Sequence, residues 1–397
     1  MKVALVHDYI KGEGGAEQVL LTLHEMFPEA PIYTLLYDKE RMRGKFAGKD
    51  IRTSFLQKFP LFLRRHHKWL LPFYPTAPET FNLRDFDLVI STSSAWSKGI
   101  VTKLNTIHIA YIHSPMRFVW DYNEKYLEEN RKEKLKLLIR PLISYLRIWD
   151  RLAADRPDYL IANSKYTQER IKKYYRRDSV VIYPPVGAEH GTHNMERITQ
   201  NLEFETKNAP RSTLHAMRYF LIVSRLSPYK KVDLVVEAFN KLGLPLVIIG
   251  EGNQKKYLKR IAGKNIKMLD WQNEEKLAKY YSNARAFIFP PLDDFGIAPV
   301  EAMSHGVPVI AYGKGGAKET IIEEITGEFF NTQTPEVLAD AVRRFMENEK
   351  KYDREVIKKR AEDFSKDKFK RELREYIESI ISKSQIQMTN QIQNSND

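Results

Sequence analysis

Short apolar runs alternate with segments of helical periodicity along most of the chain. In the first half, these runs predict strands at Val3–Val6, Ile32–Leu36, Leu88–Thr92, Thr106–Tyr111, Tyr159–Ala162 and Val180–Tyr183. In the second half, they predict strands at Phe220–Val223, Leu246–Ile249, Ile266–Leu269, Ala286–Phe289, Val307–Ala311 and Glu328–Phe330. Continuous apolar strands separated by helices are typical of parallel sheets covered on both faces. We therefore predict an α/β protein with two doubly wound, Rossmann-like domains facing across a cleft.

A polar stretch divides the two sets of strands. Residues 184–218 have few apolar positions in any period, and we interpret them as a linker that is longer than most connections. The linker separates an N-terminal domain, residues 1–183, from a C-terminal domain, residues 219–364.

The end of the chain combines an amphipathic segment with a polar tail. Ser365 suits a helix N-cap, and the apolar residues that follow fall on one helical stripe: Phe369, Leu373, Tyr376, Ile377 and Ile380. We expect a helix over residues 365–382 that packs back on the N-terminal domain. The polar residues 383–397 are expected to be disordered.

Composition narrows the class of protein. The 397 residues are 43% apolar and include no cysteine, so the sequence predicts a globular protein without disulfides or thiolate metal sites. No apolar run is long enough to span a bilayer, and Met1 leads directly into a predicted strand, which favours a cytoplasmic protein. The net charge of +13 lies mostly in the first half. It suits an anionic partner such as a lipid surface, a phosphorylated substrate or a nucleic acid, although it also fits general solubility.

The stretch DDFGIAPVE follows the predicted strand Ala286–Phe289. Proline suits the first position of a helix, so Pro299 predicts that Glu301 lies in the first turn. Asp293 and Glu301 would then both lie near the carboxyl end of one strand, where doubly wound sheets bind ligands. The two acids could form a solvated loop, a hydrolase dyad, a metal site or a sugar-binding clamp. Glu301 could also merely complement the helix dipole.

Further candidate ligand-binding residues follow other predicted strands. Arg225 and Lys230 bracket a Ser-Pro turn and suit contacts with phosphate, or they are simply surface cations. Gly315 and Gly316 allow backbone N–H groups to approach a ligand, or they form an ordinary turn. His113 follows the predicted strand Thr106–Tyr111, and either a structural or a catalytic histidine fits that position.

The first loop of the chain contains Gly14 and Gly15 just before a predicted helix. It could face a phosphate or a sugar, but it has neither the Gly-Lys-Ser/Thr of a Walker A loop nor the full dinucleotide fingerprint. The pair Asp85 and Asp87 spells D-x-D, yet it precedes a strand, so we predict no metal site there.

Two segments interleave aromatic and basic residues. They cover residues 55–75 and 131–151 and suit the plane of an anionic membrane, although buried amphipathic helices show similar patterns. No recognised nucleic-acid-binding motif accompanies the positive charge, so we expect no nucleic-acid partner.

Taken together, these motifs resemble the retaining GT-B glycosyltransferases of family 4, in particular mannosyltransferases that build bacterial O-antigen and capsular polysaccharides. The similarity covers nearly the whole chain. It rests on a D-x7-E motif from Asp293 to Glu301 and on the stretches VHDYIKGEGGAE, YIHSPMRFVWD, IANSKYTQERI, SRLSPYKKVDLVVEAF and AYGKGGAKET.

The resemblance implies roles for individual residues. It assigns Asp293 to the donor sugar, Glu301 to the ribose of the nucleotide, and Arg225 and Lys230 to its diphosphate. It makes His113 the active-site histidine.

The resemblance also implies a wider substrate-binding set. This set includes Gly14 and Gly15, which would face the diphosphate and the acceptor, and Asp294, Phe295, Gly296, Ile297, Gly315 and Gly316. The sequence departs from the family at Asp293, where glutamate is usual, and Asp294 could take part in its place.

The activity implied by the resemblance is hexosyl transfer with retention and without a metal cofactor. The expected donor is GDP-mannose, and the expected acceptor is a lipid-linked or other saccharide in cell-surface polysaccharide synthesis. The protein would work in the cytoplasm, held peripherally on the inner face of the plasma membrane. A GT-B-like nucleotide-sugar epimerase and a transferase for another nucleotide hexose are the alternatives.

Overall fold

A computed structural model of the protein describes residues 1–12, 14–42, 44–65, 67–121, 133–187 and 218–394. The chain divides into two compact units. The first comprises Met1–Pro185 together with Asp367–Asp397, and the second comprises Val186–Lys366.

The first unit is built on a seven-stranded parallel sheet. Its strands are β1 (Val3–Ile10), β2 (Ile32–Tyr37), β3 (Ile51–Thr53), β4 (Leu88–Ser93), β5 (Ile107–Ile112), β6 (Tyr159–Ala162) and β7 (Val180–Val181). Their order is β3-β2-β1-β4-β5-β6-β7, and every pair is parallel. The chain reverses its direction of winding between β1 and β4. In the described residues before the linker, the α-helices are α1 (Gly15–Met26), α2 (Leu61–Arg65), α3 (Glu133–Ala153) and α4 (Lys165–Tyr175).

The second unit repeats this architecture with a six-stranded parallel sheet. Its strands are β8 (Phe220–Val223), β9 (Leu246–Ile249), β10 (Ile266–Leu269), β11 (Phe287–Phe289), β12 (Val309–Tyr312) and β13 (Gly327–Phe330). Their order is β10-β9-β8-β11-β12-β13, so winding reverses between β8 and β11. Over residues 218–366 the α-helices of this unit are α5 (Val232–Leu242), α6 (Lys255–Ile261), α7 (Glu274–Asn283), α8 (Ile297–Ser304), α9 (Ala317–Thr320), α10 (Pro335–Asn348) and α11 (Arg354–Glu362).

Two parallel, doubly wound sheets confirm the predicted fold class. The strands Tyr159–Ala162, Phe220–Val223, Leu246–Ile249 and Ile266–Leu269 have the predicted bounds. Strand β3 was not predicted from the sequence, because Ile51–Thr53 has one apolar residue and forms a short, largely exposed edge strand. The run Val180–Tyr183 gives only the two-residue strand Val180–Val181 at the opposite edge of the sheet.

The last helix, α12, extends over Lys366–Asn394 and belongs to the core of the first unit. Four of its apolar residues are buried in one cluster with residues of β1 and β2 such as Leu5 and Ile32: Phe369, Leu373, Ile377 and Ile380. The ring of Phe369 meets the edge of Tyr111 on β5, with centroids 5.9 Å apart.

The helix also corrects one expectation, since residues 383–394 are helical rather than disordered. This stretch contains neither glycine nor proline. Adding residues to a helix that is already anchored requires no new nucleation, so a polar continuation can stay helical. Residues 188–217 of the predicted linker lie outside the described residues. At the start of the linker, the Val186 N–H donates to the Phe364 carbonyl at 2.9 Å, within the second unit.

Candidate functional site

The candidate residues of the second unit collect at the carboxyl edge of its sheet. Arg225 and Lys230 follow β8, whereas Asp293 follows β11, and these two strands are parallel neighbours. Because winding reverses between these strands, the chain continues from β8 and from β11 toward opposite edges of the sheet. Doubly wound sheets bind ligands at this point, so the topology brings together residues that lie far apart in the sequence.

A direct ion pair joins the two loops. Lys230 Nζ donates to Asp293 Oδ2, and both side chains are largely withdrawn from solvent, with exposed fractions of 17% and 15%. An ammonium group has three donors, so this pair leaves Lys230 able to bind a second acceptor. Each residue was predicted as a site residue from the sequence, but their contact was not, since 63 positions separate them.

Two glycines hold the segment around Arg225, and neither was predicted as a site residue from the sequence. Gly250 and Gly252 have φ values of +153° and +159°, and an added Cβ would lie 1.9 Å from the Ser224 carbonyl oxygen and 2.1 Å from that of Leu226. The Leu226 N–H also donates to the Glu251 carbonyl at 2.8 Å. The backbone on either side of Arg225 is therefore clamped, while its side chain is exposed. The available signal was the GEG triplet directly after β9.

Gly315 and Gly316 support the Asp293 loop from the other side. The Gly316 N–H donates to the Asp293 carbonyl at 3.0 Å. A Cβ on Gly316 would lie 2.3 Å from the Phe295 Cα. A Cβ on Gly315, whose φ is +70°, would lie 2.4 Å from the backbone carbonyl oxygen of Asp293. We expected these glycines to offer amides to a ligand. The Gly316 amide is instead engaged within the protein, so its contribution to the site is support of the loop.

The residues after Asp293 turn inward. Asp294 and Phe295 are 9% and 3% exposed, and the Phe295 ring packs edge-on against Phe364 with centroids 5.5 Å apart. Gly296 adopts φ +89° at the N-cap of α8, where a Cβ would lie 2.8 Å from the Phe289 ring. Ile297 is the first residue of that helix.

The start of α8 corrects the prediction for Glu301. The helix begins at Ile297, two residues before Pro299, so Glu301 lies beyond the first turn. The helix dipole acts mainly within the first turn. The explanation that Glu301 merely complements the dipole therefore loses its basis. The carboxylate instead accepts a hydrogen bond from the Tyr281 hydroxyl at 3.1 Å.

In the first unit, a buried carboxylate organises the corresponding edge of the sheet. Asp8, near the end of β1, accepts hydrogen bonds from four consecutive backbone N–H groups at 2.6–2.9 Å; they belong to Ser94, Ala95, Trp96 and Ser97. These bonds tie β1 to the loop after β4, where winding reverses. Gly14 and Gly15 lie just beyond β1, as the N-cap and the first residue of α1.

His113 lies at the same edge, directly after β5. Its backbone N–H donates to the Ser93 carbonyl at 2.8 Å, and its ring meets the edge of Tyr111 with centroids 5.2 Å apart. Desolvation, with a smaller contribution from nearby His7, lowers the pKa of His113 to about 3. The ring is therefore neutral at physiological pH. Its Nε2 is buried and has no hydrogen-bond partner among the described residues.

The D-x-D pair lies elsewhere. Asp85 and Asp87 precede β4, and Asp87 Oδ2 accepts a hydrogen bond from the Lys2 N–H at 2.7 Å, near the amino end of β1. In the described part of the chain, no three His, Asp or Glu side chains are grouped so that they could hold a metal ion.

Comparison with known families decides between the classes of protein that this geometry allows. Residues 13–190 match the model described as Glycosyltransferase Family 4, and residues 205–364 match the one described as Glycosyl transferases group 1. The chain belongs to the GT-B glycosyltransferases of family 4. This assignment agrees with the two parallel sheets and with the positions of the acidic and cationic residues at their carboxyl edges.

The curated relatives of this family 4 chain are distant. An uncharacterized glycosyltransferase of Methanocaldococcus jannaschii is 28% identical over 159 residues, which cover 37% of this chain and 41% of the relative. A second protein from that organism is matched over 58% of its length, so the chain spans about half the length of these relatives. The alpha-1,3/1,6-mannosyltransferase alg2 of Schizosaccharomyces pombe is 23% identical, over 82% of this chain and 70% of the relative.

Two further proteins are similar to this chain. The GDP-mannose-dependent alpha-(1-6)-phosphatidylinositol monomannoside mannosyltransferase of Mycobacterium tuberculosis is 26% identical, over 48% of this chain and 53% of the relative. Among solved structures, Anabaena HepE in complex with UDP-glucose superposes with a TM-score of 0.66 at 17% identity, over 96% of this chain and all of that one. This structural likeness concerns the fold.

The contact between Gly316 and Phe295 generates a first prediction. Gly316 has an ordinary φ of −63°, so Gly316→Ala tests the close approach alone. We expect the free energy of unfolding of this family 4 chain to fall by about 1–3 kcal/mol, as in overpacked cores. Denaturant titration measures it. Gly187→Ala is the matched control, because no atom of the described residues, apart from its chain neighbours, lies within 4 Å of the added Cβ there. Equal stability of the two variants would contradict the packing role.

Proposed function

We propose that the protein transfers mannose from GDP-mannose, with retention, to a lipid-linked or other saccharide acceptor. The observation that carries the proposal is the pair of loops after β8 and β11, where Arg225, Lys230 and Asp293 meet at one edge of a sheet. Cations beside a carboxylate that is largely shielded from solvent suit a ligand that combines a diphosphate with a sugar.

The chemistry of the leaving group explains the two cations. A departing nucleoside diphosphate gathers negative charge on its phosphate oxygens, and preorganised donors aimed at these oxygens stabilise the transition state. Arg225 offers a planar fork of N–H donors, and the backbone on either side of it is held by Gly250 and Gly252. Lys230 is held by Asp293 and keeps donors for a phosphate oxygen. Two such cations can take over the charge neutralisation that a divalent metal ion supplies in other transferases.

The position of Asp293 supports its role toward the donor sugar. Its carbonyl is fixed by the Gly316 N–H and its carboxylate by Lys230, so the short side chain is held in one orientation. Asp294 is buried, whereas Asp293 is half-buried. We therefore assign the sugar contact to Asp293 rather than to Asp294, and the ribose contact to Glu301.

A front-face route with retention fits these assignments. Inversion requires a general base for the acceptor, and double displacement requires a carboxylate nucleophile. Asp293 is paired with Lys230, Glu301 is assigned to the ribose, and desolvation lowers the pKa of His113 to about 3, which makes its ring a weak proton acceptor. The departing diphosphate would then accept the acceptor proton, while His113 orients a substrate through hydrogen bonds.

The choice of donor rests on the relatives. Two of them carry mannosyltransferase names, one of these specifying GDP-mannose, whereas Anabaena HepE is bound to UDP-glucose. A thermal-shift screen of nucleotide sugars separates the candidates, because a ligand that binds the folded state raises the melting temperature. Stabilisation by GDP-mannose above all others is the expected result, and a preference for a UDP-sugar would change the donor but leave the transferase class intact.

The cationic pair generates a second prediction. Arg225→Ala and Lys230→Ala should each cost about 2–4 kcal/mol of transition-state stabilisation, or roughly 30- to 1000-fold in kcat/KM. Lys256→Ala is the matched control, since Lys256 is an exposed lysine of the same unit. The measurement is sugar transfer that requires an added acceptor, a requirement that an epimerase would not show. Near-wild-type kcat/KM for both variants would remove the diphosphate role.

A third prediction concerns the reaction itself. Because Arg225 and Lys230 supply the positive charge, activity should persist in excess EDTA. Because the front-face route retains configuration, an α-linked donor should give an α-linked product. NMR of the anomeric centre reports the linkage. A β-linked product overturns retention, and loss of activity in EDTA that magnesium or manganese restores overturns metal independence.

We further propose that the first unit holds the protein on an anionic membrane at its cytoplasmic face. Segments 55–75 and 131–151 both pack on one buried cluster that includes Leu70 and Leu146. Their other faces expose large apolar side chains, from 46% to 75%: Leu61, Phe62, Trp69, Phe73, Tyr145 and Ile148. Arg65, Lys68 and residues 131–138 lie outside the described side chains. None of the helices in the described ranges is long and apolar enough to span a bilayer.

This surface generates a fourth prediction. Replacing Phe62 and Trp69, which are 63% and 75% exposed, by serine should weaken binding to phosphatidylglycerol vesicles at least about tenfold, because each side chain loses apolar burial. Co-sedimentation with these vesicles at low and high salt measures the binding. Leu104→Ser is the matched control, since Leu104 is fully exposed but precedes β5 at the amino edge of the sheet. Equal loss in both variants, or binding unaffected by either, counts against the proposed membrane face.

A further inference from the structure

Tyr281, which belongs to none of the sequence motifs, contacts one of the two acids of the D-x7-E motif. Its hydroxyl donates a hydrogen bond to Glu301 Oε2 at 3.1 Å. Tyr281 lies near the end of α7 and Glu301 lies on α8, so the bond links two helices that flank β11. It is a contact between a neutral donor and a carboxylate, unlike the ion pair that holds Asp293.

The tyrosine ring is fixed by its surroundings. Tyr281 is 2% exposed, and its ring stacks on His305 with centroids 5.4 Å apart and an interplanar angle of 10°. Its other contacts include the Phe287 ring of β11 at 5.8 Å. A ring held between a strand and a helix end cannot easily change rotamer, so the hydroxyl has a defined position.

The hydroxyl is also fixed as a donor. Burial, with the charge of Glu301 as a further cause, raises the pKa of Tyr281 well above its ordinary value. The phenol therefore keeps its proton at any pH at which the protein would work. Because a carboxylate offers about four lone-pair positions, one hydrogen bond to Oε2 orients Glu301 without using up its capacity to accept from a ligand.

We infer that Tyr281 is a positioning residue that orients the Glu301 carboxylate toward the ribose hydroxyls of the bound nucleotide. The inference rests on the proposed function, in which Glu301 binds the ribose. Tyr281 itself need not touch the ligand. Its effect should depend on the presence of Glu301 and of the ribose hydroxyls, and a purely structural role would depend on neither.

Tyr281→Phe tests this inference, because it removes the hydroxyl and keeps the stacked ring. Calorimetry would compare GDP and UDP with their 2′,3′-dideoxy forms in the full-length protein. We expect the better-binding ribonucleotide to lose about tenfold in affinity, with unchanged affinity for its dideoxy form. The donor KM should rise by a similar factor while kcat stays close to wild type. In a Glu301→Ala background, Tyr281→Phe should have no further effect.

Tyr352→Phe is the matched control. Its hydroxyl donates to Glu328 Oε1 at 2.5 Å in the same unit, so the variant also breaks a buried tyrosine–glutamate bond but leaves Glu301 untouched. It should bind ribo- and dideoxynucleotides as wild type does. Equal weakening of both nucleotide forms in Tyr281→Phe, or no weakening of either, overturns the inference alone. Wild-type protein that does not prefer ribose overturns the ribose role of Glu301 and the inference with it.

Discussion

Close approach of backbone segments at the carboxyl edge of the second sheet is the constraint on which the candidate site depends. Gly250 and Gly252 lie against the carbonyls of Ser224 and Leu226, and Gly316 lies against Phe295. A side chain at any of these glycines would separate loops that must touch. These contacts hold the loop after β8 and the loop after β11, and Lys230 of the first pairs with Asp293 of the second across 63 positions of sequence. Glycines that look like a flexible ligand-binding loop in the sequence therefore act as rigid packing points.

The first unit meets the same topological requirement with different chemistry. At the reversal between β1 and β4, the Asp8 carboxylate gathers four backbone N–H groups instead of relying on glycine contacts. A carboxylate with several backbone donors is a strong and directional anchor. It fixes the loop after β4, and Ser93 at the end of that strand in turn accepts from the His113 N–H. Close packing at this edge of the sheet removes the His113 ring from solvent, and this desolvation keeps the ring neutral.

The sequence predicted the parts of this structure that depend on local pattern. Apolar runs gave the strands, and their alternation with helices gave the fold class; Arg225, Lys230 and Asp293 were found because they follow strands. Features that depend on tertiary contact were not predictable. Pro299 suggested a helix start two residues too late, since the N-cap is set by Gly296 packing on Phe289. Tyr281 carries no local signal, because its partner Glu301 is 20 positions away.

The two acids of the D-x7-E motif differ in how the protein holds them, and this difference bears on their chemistry. Asp293 is neutralised by Lys230, so a phosphate can approach without meeting an uncompensated negative charge. Glu301 accepts a hydrogen bond from the Tyr281 hydroxyl, a neutral donor that brings no positive charge of its own. A charged carboxylate repels phosphate but accepts strongly from hydroxyl groups. The arrangement therefore favours a ligand whose phosphate lies near the Lys230–Asp293 pair and whose hydroxyl-rich ring lies near Glu301.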